Sequence, residues 1–394
     1  MGDGVRYIGG AERRARLALR HRLAPAARAS GPEEVADALV ALHGTDPATV
    51  YLTVGARLTA SGVTVPETER ALYEDGTLVR MHGMRNTVFV FPRELTAVVH
   101  ASTSLVVAAR SRAALVGDMA KAGAPDAAWL KEVEESTLAA LARLGEATAS
   151  ELAREEPRLR EQFVYAAGKS YEGLHTVSNR LLRLLGTEGK VVRGRPDGSW
   201  TSSRFRWALA PGHAELDPAG AQAELLRRWL AACGPATEAD LKWWTGWKVT
   251  EVRRALTTIG ARAVTLEEGA GYVAQEDVDP VAAPGEPWAA LLPALDPTAM
   301  GWQARDWYLA PGLRPALFDR SGNVGPTVWW DGRVVGAWAQ RPDGELVWRI
   351  LDDEGVGREA GKAIAAEAER LSAWLGGTRV TPRFRTPAER ELAG

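Results

Sequence analysis

The densest group of side chains able to do chemistry lies in the hexapeptide Leu42-His43-Gly44-Thr45-Asp46-Pro47, between two segments with helical periodicity. Here an imidazole, a hydroxyl and a carboxylate fall within four positions, and the glycine lets another group approach the backbone closely. Such a set could hold a water molecule by two or three hydrogen bonds and polarise it. A structural alternative is that Asp46 is the N-cap of the helix beginning at Pro47 and that His43 is a hydrogen-bonded corner residue. The residues alone leave both interpretations open.

Positive charge concentrates further along the chain, between Ser178 and Arg206, where seven basic residues stand against two acidic ones, a net charge of +5. The chain as a whole carries a formal charge of −2, so any surface for a polyanion must be local. Arg193 and Arg195 belong to this segment, and a later basic helix contains Lys248 and Arg253. On a helix followed by a β-hairpin such residues suit contacts with phosphates, and the alternative is a solvated face.

The elements around these residues repeat one order, helices followed by a β-hairpin. Apolar residues recur at helical spacing over 12–22, 33–42 and 47–58, and β-prone runs at 78–81 and 87–91 predict a hairpin. The order of helices followed by a β-hairpin recurs twice later in the chain. An internal repeat supports units of one kind, since two segments align without a gap, Gly145-Glu-Ala-Thr-Ala-Ser-Glu-Leu and Gly234-Pro-Ala-Thr-Glu-Ala-Asp-Leu. Three winged-helix units are therefore predicted.

The sequence predicts an α+β, mainly helical fold of tandem winged-helix modules with a C-terminal β-rich region. The predicted parts are a first winged-helix unit with the hexapeptide (1–92), a helical connector (93–145), second and third winged-helix units (146–210 and 211–276) and a C-terminal β-rich domain closed by a final helix (288–394). A linker is predicted over 277–287, which is rich in proline, alanine and acidic residues.

The β-rich domain is predicted to contain a meander of three strands, at 327–330, 333–340 and 345–350, with turns between them. Trp329, Trp330 and Trp338 fall on these strands, and the chain has 15 tryptophans in all. For these three rings, packing in the core and stacking on nucleic-acid bases are both open, and core packing is the interpretation we favour.

Composition excludes several kinds of protein. The single cysteine, Cys233, rules out a disulfide framework and a cysteine-rich zinc site, and it is predicted to be a small core residue at a helix end. His21, His100, His175 and His213 show no metal-ligand spacing, so neither a metal nor another cofactor is expected. The first ten residues lack the apolar core of a secretion signal and no stretch approaches 18 apolar residues, so a cytoplasmic protein is expected.

Several blocks, in order and over nearly the whole chain, resemble the AlkZ-type winged-helix DNA glycosylases, a family whose other branch is the YcaQ group. The C-terminal blocks are the more specific ones. The blocks are Leu42-His-Gly-Thr-Asp-Pro-Ala-Thr-Val-Tyr-Leu with Ala56-Arg-Leu, Met84-Arg-Asn-Thr, Ala294-Leu-Asp-Pro-Thr-Ala-Met-Gly-Trp, Arg305-Asp-Trp-Tyr-Leu and Val334-Val-Gly-Ala-Trp-Ala-Gln.

The resemblance implies that the hexapeptide is the catalytic motif. In the family a Gln-x-Gln or Gln-x-Asp motif positions the hydrolytic water, and some members carry His at the first position. Here His43 and Thr45 fill the two places, and the second is a departure because threonine can hold a water but is a poor base. Either Asp46 supplies the charge, or this member has weakened or redirected activity.

Contacts with DNA are expected from nine residues outside the hexapeptide, namely Arg57, His82, Arg85, Arg193, Arg195, Lys248, Arg253, Asn323 and Gln340. Arg57 and Arg85 have the alternative of pairing with a local carboxylate. His82 is predicted to be exposed at the tip of the first hairpin. Asn323 and Gln340 lie beside turns of the β-rich domain, where the resemblance implies a hairpin that probes the duplex.

The function expected from these observations is that of a monofunctional DNA glycosylase, which hydrolyses the N-glycosidic bond of a bulky N7-alkylated purine. Alkylation at N7 puts a positive charge on the base, so the leaving group needs little acid help and neither a metal nor a lysine nucleophile is required. The resemblance implies an open cleft that grips a distorted duplex, in place of extrusion into a tight pocket. Such a site suits DNA repair, including self-protection against a DNA-alkylating natural product.

Two other functions stay open. A catalytically silent winged-helix protein that binds DNA is favoured by the departure at Thr45. A protein-interaction scaffold would use the tryptophan-rich faces and would bind no duplex in a salt-dependent way. The expected partner is double-stranded DNA carrying alkylated bases, with no membrane partner and a monomeric state.

Overall fold

The computed structural model describes residues 5–59, 65–123, 125–166, 168 and 172–394. The chain divides into two compact units. The discontinuous unit contains Met1–Val79, Val90–Arg93 and Gln222–Gly394, and the central unit contains Arg80–Phe89 and Glu94–Ala221. The central unit is therefore an insertion into the discontinuous one, which the sequence did not predict.

Helices of very different length account for most of the regular structure. In chain order the α-helices of the described residues are α1 (Gly10–Arg20), α2 (Pro32–Leu39), α3 (Pro47–Gly55), α4 (Val65–Tyr73), α5 (Thr96–Val99), α6 (Leu105–Lys121), α7 (Ala127–Leu144), α8 (Ala149–Glu155), α9 (Val177–Thr187), α10 (Pro218–Cys233), α11 (Glu238–Thr245), α12 (Val249–Thr258), α13 (Pro297–Met300), α14 (Arg314–Leu317), α15 (Arg358–Leu375) and α16 (Pro387–Ala393).

Several small sheets complete the fold. The strands are β1 (Leu42–His43), β2 (Leu78–His82), β3 (Val88–Pro92), β4 (Glu146–Thr148), β5 (Gln162–Tyr165), β6 (Gly173–Thr176), β7 (Val191–Pro196), β8 (Phe205–Leu209), β9 (Arg262–Leu266), β10 (Gly269–Val273), β11 (Ala289–Leu292), β12 (Thr327–Trp330), β13 (Arg333–Gln340) and β14 (Leu346–Ile350). They form sheets in the orders β1-β3-β2, β4-β8-β7, β5-β6, β10-β9 and β11-β12-β13-β14.

In the discontinuous unit the hexapeptide begins with the strand β1 and ends at the first residue of the helix α3. Proline at the first position begins both α2 and α3, where its missing N–H is not needed and its fixed φ suits a helix. All residues of α3 are buried, so the helix is held by packing on every side. The predicted helix–helix corner is in fact a strand–helix corner, because Leu42 and His43 form β1.

In the central unit, α8 and α9 precede the hairpin of β7 and β8, the arrangement predicted for a winged helix. A capping box begins α8, since Thr148 accepts from the Glu151 amide and the Glu151 carboxylate accepts from the Thr148 amide. Leu181 and Leu185 of α9 pack with Leu141 of α7 in the core. The β5-β6 hairpin before α9 was not predicted.

The same order recurs in the discontinuous unit with α11, α12 and the hairpin of β9 and β10. Thr237 and Asp240 form the capping box of α11, at the positions that align with Thr148 and Glu151. Cys233 ends α10 in a buried position, which confirms the prediction of a core residue. Residues 277–287 contain neither helix nor strand, as expected of a linker.

The C-terminal sheet confirms the predicted meander, β12-β13-β14, and extends it. β11 pairs with β12 and was not predicted. Trp329 and Trp338 are buried, and their indole N–H groups donate to Thr327 Oγ1 and to Leu292 O, so core packing is correct for both rings. Trp330 is half-buried. The chain does not close with the predicted last helix, α15, because the shorter α16 follows it.

The α+β, mainly helical class with a C-terminal β-rich region is thus confirmed. The five-part division of the chain stays a prediction. Within the described residues, none of the helices has the length and hydropathy that crossing a bilayer requires.

Candidate active site and DNA-contacting residues

The hexapeptide alternates in burial. Leu42, Gly44 and Asp46 are buried, whereas His43 and Thr45 are half-buried. β1 ends at His43 and the chain bends at Thr45, so the two half-buried side chains lie at the turn from β1 into α3. The imidazole and the hydroxyl are thus the more accessible polar groups of the hexapeptide, and the Asp46 carboxylate is the buried one.

Asp46 is the N-cap of α3, as the structural alternative predicted. Its Oδ1 accepts from the Ala48 amide at 3.2 Å, and its Oδ2 accepts from the Arg383 amide at 2.9 Å. The side chain is buried, and a carboxylate at a helix N-terminus is stabilised by the unpaired amides and by the helix dipole. Asp46 thus joins the start of α3 to the C-terminal segment of the chain.

A narrow crevice lies on the inner side of this corner. Asp46 and Thr49 line it from the corner, and Trp338, Gln340 and Pro382 line it from the C-terminal region. The structure therefore brings Gln340, a predicted DNA contact, to the same crevice as Asp46.

The side-chain amide of Gln340 is engaged with the backbone of its own region. Its Nε2 donates to Thr378 O at 3.1 Å and to Gly344 O at 3.3 Å. Its Oε1 accepts from the Val380 amide at 2.9 Å. A role in probing DNA does not fit this position, because the amide already has partners for both of its polar atoms.

Arg57 is not at the surface, and its predicted contact with DNA is wrong for this position. Its guanidinium is fully buried and forms a two-point salt bridge with Asp296, at 2.7 and 2.8 Å. It also donates to His21 O and Thr298 Oγ1. The alternative, pairing with a carboxylate, is the correct one, although Asp296 is distant in sequence.

A buried hydrogen-bonded network extends from this salt bridge. Asp296 is the N-cap of α13 and also accepts from Thr53 Oγ1 of α3 at 3.1 Å. His21, at the end of α1, lies 2.8 Å from Thr298 Oγ1, and burial next to Arg57 lowers the pKa of the imidazole to about 3. The network ties α1, α3 and α13 together around the corner that carries His43.

His82 is buried at the end of β2, which corrects the prediction of an exposed hairpin tip. Burial lowers the pKa of its imidazole to about 3, and the positive charges of Arg193 and Arg183 act in the same direction. The tip is formed by Arg85 and Asn86, both with positive φ, at 54° and 58°. Arg85 is exposed, so it retains the position that a phosphate contact needs.

The basic segment of the second winged helix is partly neutralised. Lys190 pairs with Glu134 and Glu188, and Arg206 lies 3.2 Å from Glu151. The guanidinium of Arg193 lies over the rings of Phe205 and Trp207, 5.1 and 5.4 Å from their centres. Arg193 and Arg195 are both half-buried. The net charge of +5 therefore overstates the positive charge that this segment has available for contacts with phosphates.

The remaining predicted contacts lie in the discontinuous unit. Lys248 is exposed at the start of α12, and Arg253 is exposed on the same helix but pairs with Glu238 at 2.9 Å. Asn323 is half-buried, and its Nδ2 donates to Asp319 at 2.8 Å. Within the part of the chain that the structure describes, the Lys248 ammonium forms no ion pair, so Lys248 keeps the position that a phosphate contact needs.

Reasoning from the sequence missed Asp296 and Arg383, which position the corner. Asp296 had a local signal, because Asp followed by Pro297 and Thr298 is typical of an N-cap. Arg383 had none, since its backbone amide and not its side chain makes the contact.

Comparison with known proteins gives one family. The sequence matches the family model described as DNA glycosylase AlkZ-like over residues 36–374. Among solved structures, the chain is similar to Streptomyces sahachiroi DNA glycosylase AlkZ, with a TM-score of 0.73 and 21% sequence identity, over 96% of this chain and 99% of that chain. At that level of identity the structural likeness shows a shared fold. No curated protein matches the sequence.

Proposed function

The chain belongs to the AlkZ-like DNA glycosylase family, and from that premise we propose that it excises a bulky N7-alkylated purine from duplex DNA, with His43 and Thr45 holding the water that attacks the sugar. The supporting observation is that His43 and Thr45 are half-buried at the turn into α3, while residues 42, 44 and 46 are buried. Two polar side chains two positions apart can bind one water from two directions.

The reaction makes modest demands on these residues. N7-alkylation already charges the base, so the bond from C1′ to the base nitrogen breaks without strong acid catalysis, and positive charge develops on the sugar. The attacking water must lose a proton as its oxygen bonds to C1′. The His43 imidazole accepts that proton in this proposal, while the Thr45 hydroxyl orients the water.

Asp46 acts through position in this proposal, and it does not touch the water. Both of its carboxylate oxygens accept backbone amides, so it fixes the direction in which the chain leaves β1 and enters α3. Its negative charge also lies close in sequence to the sugar-facing side chains. In a buried environment such a charge stabilises the positive charge that develops on the sugar more strongly than it would in water.

The direct test is release of base from a duplex that carries a single N7-alkylguanine, followed as strand cleavage at the resulting abasic site. We expect cleavable product with the wild-type protein and much less with His43→Ala. A panel of adducts from methyl to polycyclic groups tests the preference for bulk. Equal rates for wild type, His43→Ala and buffer over the whole panel would remove the enzymatic assignment at this site.

A second candidate function is binding to DNA without excision. The observation in its favour is Thr45, which stands where the resemblance implies Gln or Asp. Tight binding to duplex, steeply dependent on salt and without abasic product on any adduct, would select this function over the first.

We make two narrower proposals as well. If the adduct is that of a DNA-alkylating natural product, expression of the protein should protect sensitive cells from that compound, and His43→Ala should not. We also propose that the protein acts as a monomer, which light scattering at working concentration measures directly.

A further inference from the structure

A pocket of about 340 Å³ lies within the central unit, between α6 and α9. Arg110 of α6 and Arg180 and Arg183 of α9 line it, together with Tyr165 at the end of β5. Asn86, Ser111 and Thr187 are its other polar lining residues. The pocket contains none of the residues assigned to the reaction.

The described residues that line this pocket include three arginines and no acidic side chain. Within the described residues, none of the three arginines has a carboxylate oxygen within 4.0 Å. By contrast Arg112, also on α6, pairs with Glu134 at 2.8 Å and with Glu188 at 2.5 Å. Arg180 and Arg183 are three positions apart on α9, where like charges repel. An anion in the pocket would relieve this repulsion.

Arg180 is held in place but lacks an acceptor. Its guanidinium carbon lies 3.4 Å from the centre of the Tyr165 ring. Its Nε is buried and has no hydrogen-bond partner among the described residues. Burial lowers the pKa of Arg180 and Arg183 adds to this effect, while Tyr165 and Asp118 oppose it. Since a buried donor without an acceptor is costly, an anionic oxygen is the ligand that would satisfy it.

The part of the pocket formed by Arg183, Thr187 and Asn86 is also held by hydrogen bonds. Arg183 Nη2 donates to Asn86 O at 3.2 Å. The Thr187 hydroxyl lies 3.0 Å from Asn86 Oδ1 and 2.9 Å from Arg183 O. These hydrogen bonds fasten α9 to the turn of the first hairpin, so little side-chain freedom is lost when an anion binds.

We propose that this pocket binds a phosphate group, held by Arg110, Arg180 and Arg183. Guanidinium groups match phosphate oxygens in geometry as well as in charge. The phosphate belongs either to the backbone of duplex DNA or to a free nucleotide, and the volume is within the range of about 300–1,000 Å³ that small-molecule sites have. The DNA source rests on the proposed function, whereas the phosphate chemistry does not.

The test uses undamaged duplex, so that it does not depend on base excision. The affinity of a fluorescent duplex is measured by anisotropy over a series of salt concentrations for the full-length wild type and for Arg110→Gln, Arg180→Gln and Arg183→Gln. Arg390→Gln, at an exposed arginine on α16, is the matched control. For a backbone phosphate we expect weaker binding by the three variants and no change in the control. The slope of log K against log salt should become shallower by about 0.9 for each phosphate that a variant no longer neutralises.

Two competitors separate the sources of phosphate. A nucleoside monophosphate and inorganic phosphate are titrated by calorimetry against wild type, Arg110→Gln, Arg180→Gln and Arg183→Gln. If duplex binding is unchanged but Arg180→Gln no longer binds the monophosphate, the ligand is a free nucleotide and the pocket is supported. Unchanged binding of duplex, monophosphate and phosphate in all three variants would overturn it. Arg183→Lys, which keeps the charge, checks folding, because it should retain more affinity than Arg183→Gln.

The outcome is independent of the excision assay. A protein that makes no abasic product but shows the expected change in salt dependence would lose the proposed function and keep the pocket. Normal excision by the wild type, together with unaltered phosphate binding in the variants, would keep the proposed function and remove the phosphate pocket.

Discussion

Arg57 and Asp296 form a two-point salt bridge in which neither side chain is exposed to solvent. One follows α3 and the other caps α13, so the pair fastens the helix that begins at the candidate active site to the C-terminal region. Both residues lie in sequence blocks that resemble the family, and their pairing gives those blocks a structural reason.

We expect Asp296→Ala to lower the free energy of unfolding by about 3–5 kcal/mol, because it leaves the Arg57 guanidinium buried without a counter-charge. Urea denaturation measures the change. The control is Glu391→Ala, which removes the exposed partner of Arg349 and should cost less than about 1 kcal/mol. A destabilisation no larger than that of the control would show that the buried pair does not hold the unit together.

Changes at the two accessible side chains should affect the chemical step and leave the fold intact. We expect His43→Ala to lower the single-turnover rate of base release by about 10²–10⁴-fold, the range for removal of a general base. Thr45→Val removes one hydrogen bond of about 1 kcal/mol and should lower the rate about fivefold. Melting temperature and duplex affinity serve as controls. A proportional decrease in affinity would indicate a binding role in place of a catalytic one.

Thr45→Asp should raise the rate of excision, since it places a carboxylate at the half-buried position 45, where the family pattern has Gln or Asp. Thr45→Asn, of similar size and without charge, is the matched variant. The rate is compared over pH 5–8 with one N7-alkylguanine duplex. If Thr45→Asp is slower than wild type and Thr45→Asn is not, an added negative charge opposes the reaction, and the water is not activated from this side.

Asp46→Ala should destabilise the protein by about 0.5–2 kcal/mol, the usual cost of removing an N-cap, and should also slow excision by misplacing His43. The pH profile of the excision rate distinguishes a positioning role of Asp46 from a role as the general base. A positioning residue lowers the rate at every pH without moving the apparent pKa of the reaction, whereas removal of a titrating base would move it.

Acid should destabilise the protein through its buried histidines. His21 and His82 have pKa values of about 3 in the folded chain, below the ordinary histidine value of 6.5. Between these values the proton binds only the unfolded chain, so stability falls as the pH drops from 6.5 toward 3. We expect His82→Gln to reduce the slope of unfolding free energy against pH by about 1.4 kcal/mol per pH unit in this interval. His175→Gln, at a more exposed position, should change the slope less.

Elements with local determinants could be predicted from the sequence. The capping boxes at Thr148 and Thr237 bring their own acceptors three residues on, and the hairpin of β9 and β10 has alternating residues around a tight turn. β11 could not be predicted, because its Ala-Ala-Leu-Leu sequence is buried throughout and shows no alternation.

In the candidate site, too, features with a local determinant could be predicted and features set by distant residues could not. That Asp46 caps α3 follows from its position before Pro47, and this interpretation proved correct. The burial of Arg57 and of His82 could not be predicted, because the groups that bury them, Asp296 and α9, are far away in sequence. Arg57 and His82 were both predicted to contact DNA at the surface. Packing against distant parts of the chain buries them in the interior.

The insertion of the central unit sets an order of events during synthesis. The first 79 residues leave the ribosome well before residue 222, where the last and longest segment of their own unit begins. At about 5–20 residues per second, the ribosome takes on the order of ten seconds or more to cross that interval. Throughout this delay α3 has its neighbours β1, α2 and α4 but lacks its contacts with the C-terminal region, such as the hydrogen bond from Thr53 to Asp296. A truncated chain that ends before Asp296 leaves this side of α3 uncovered, and we expect it to aggregate.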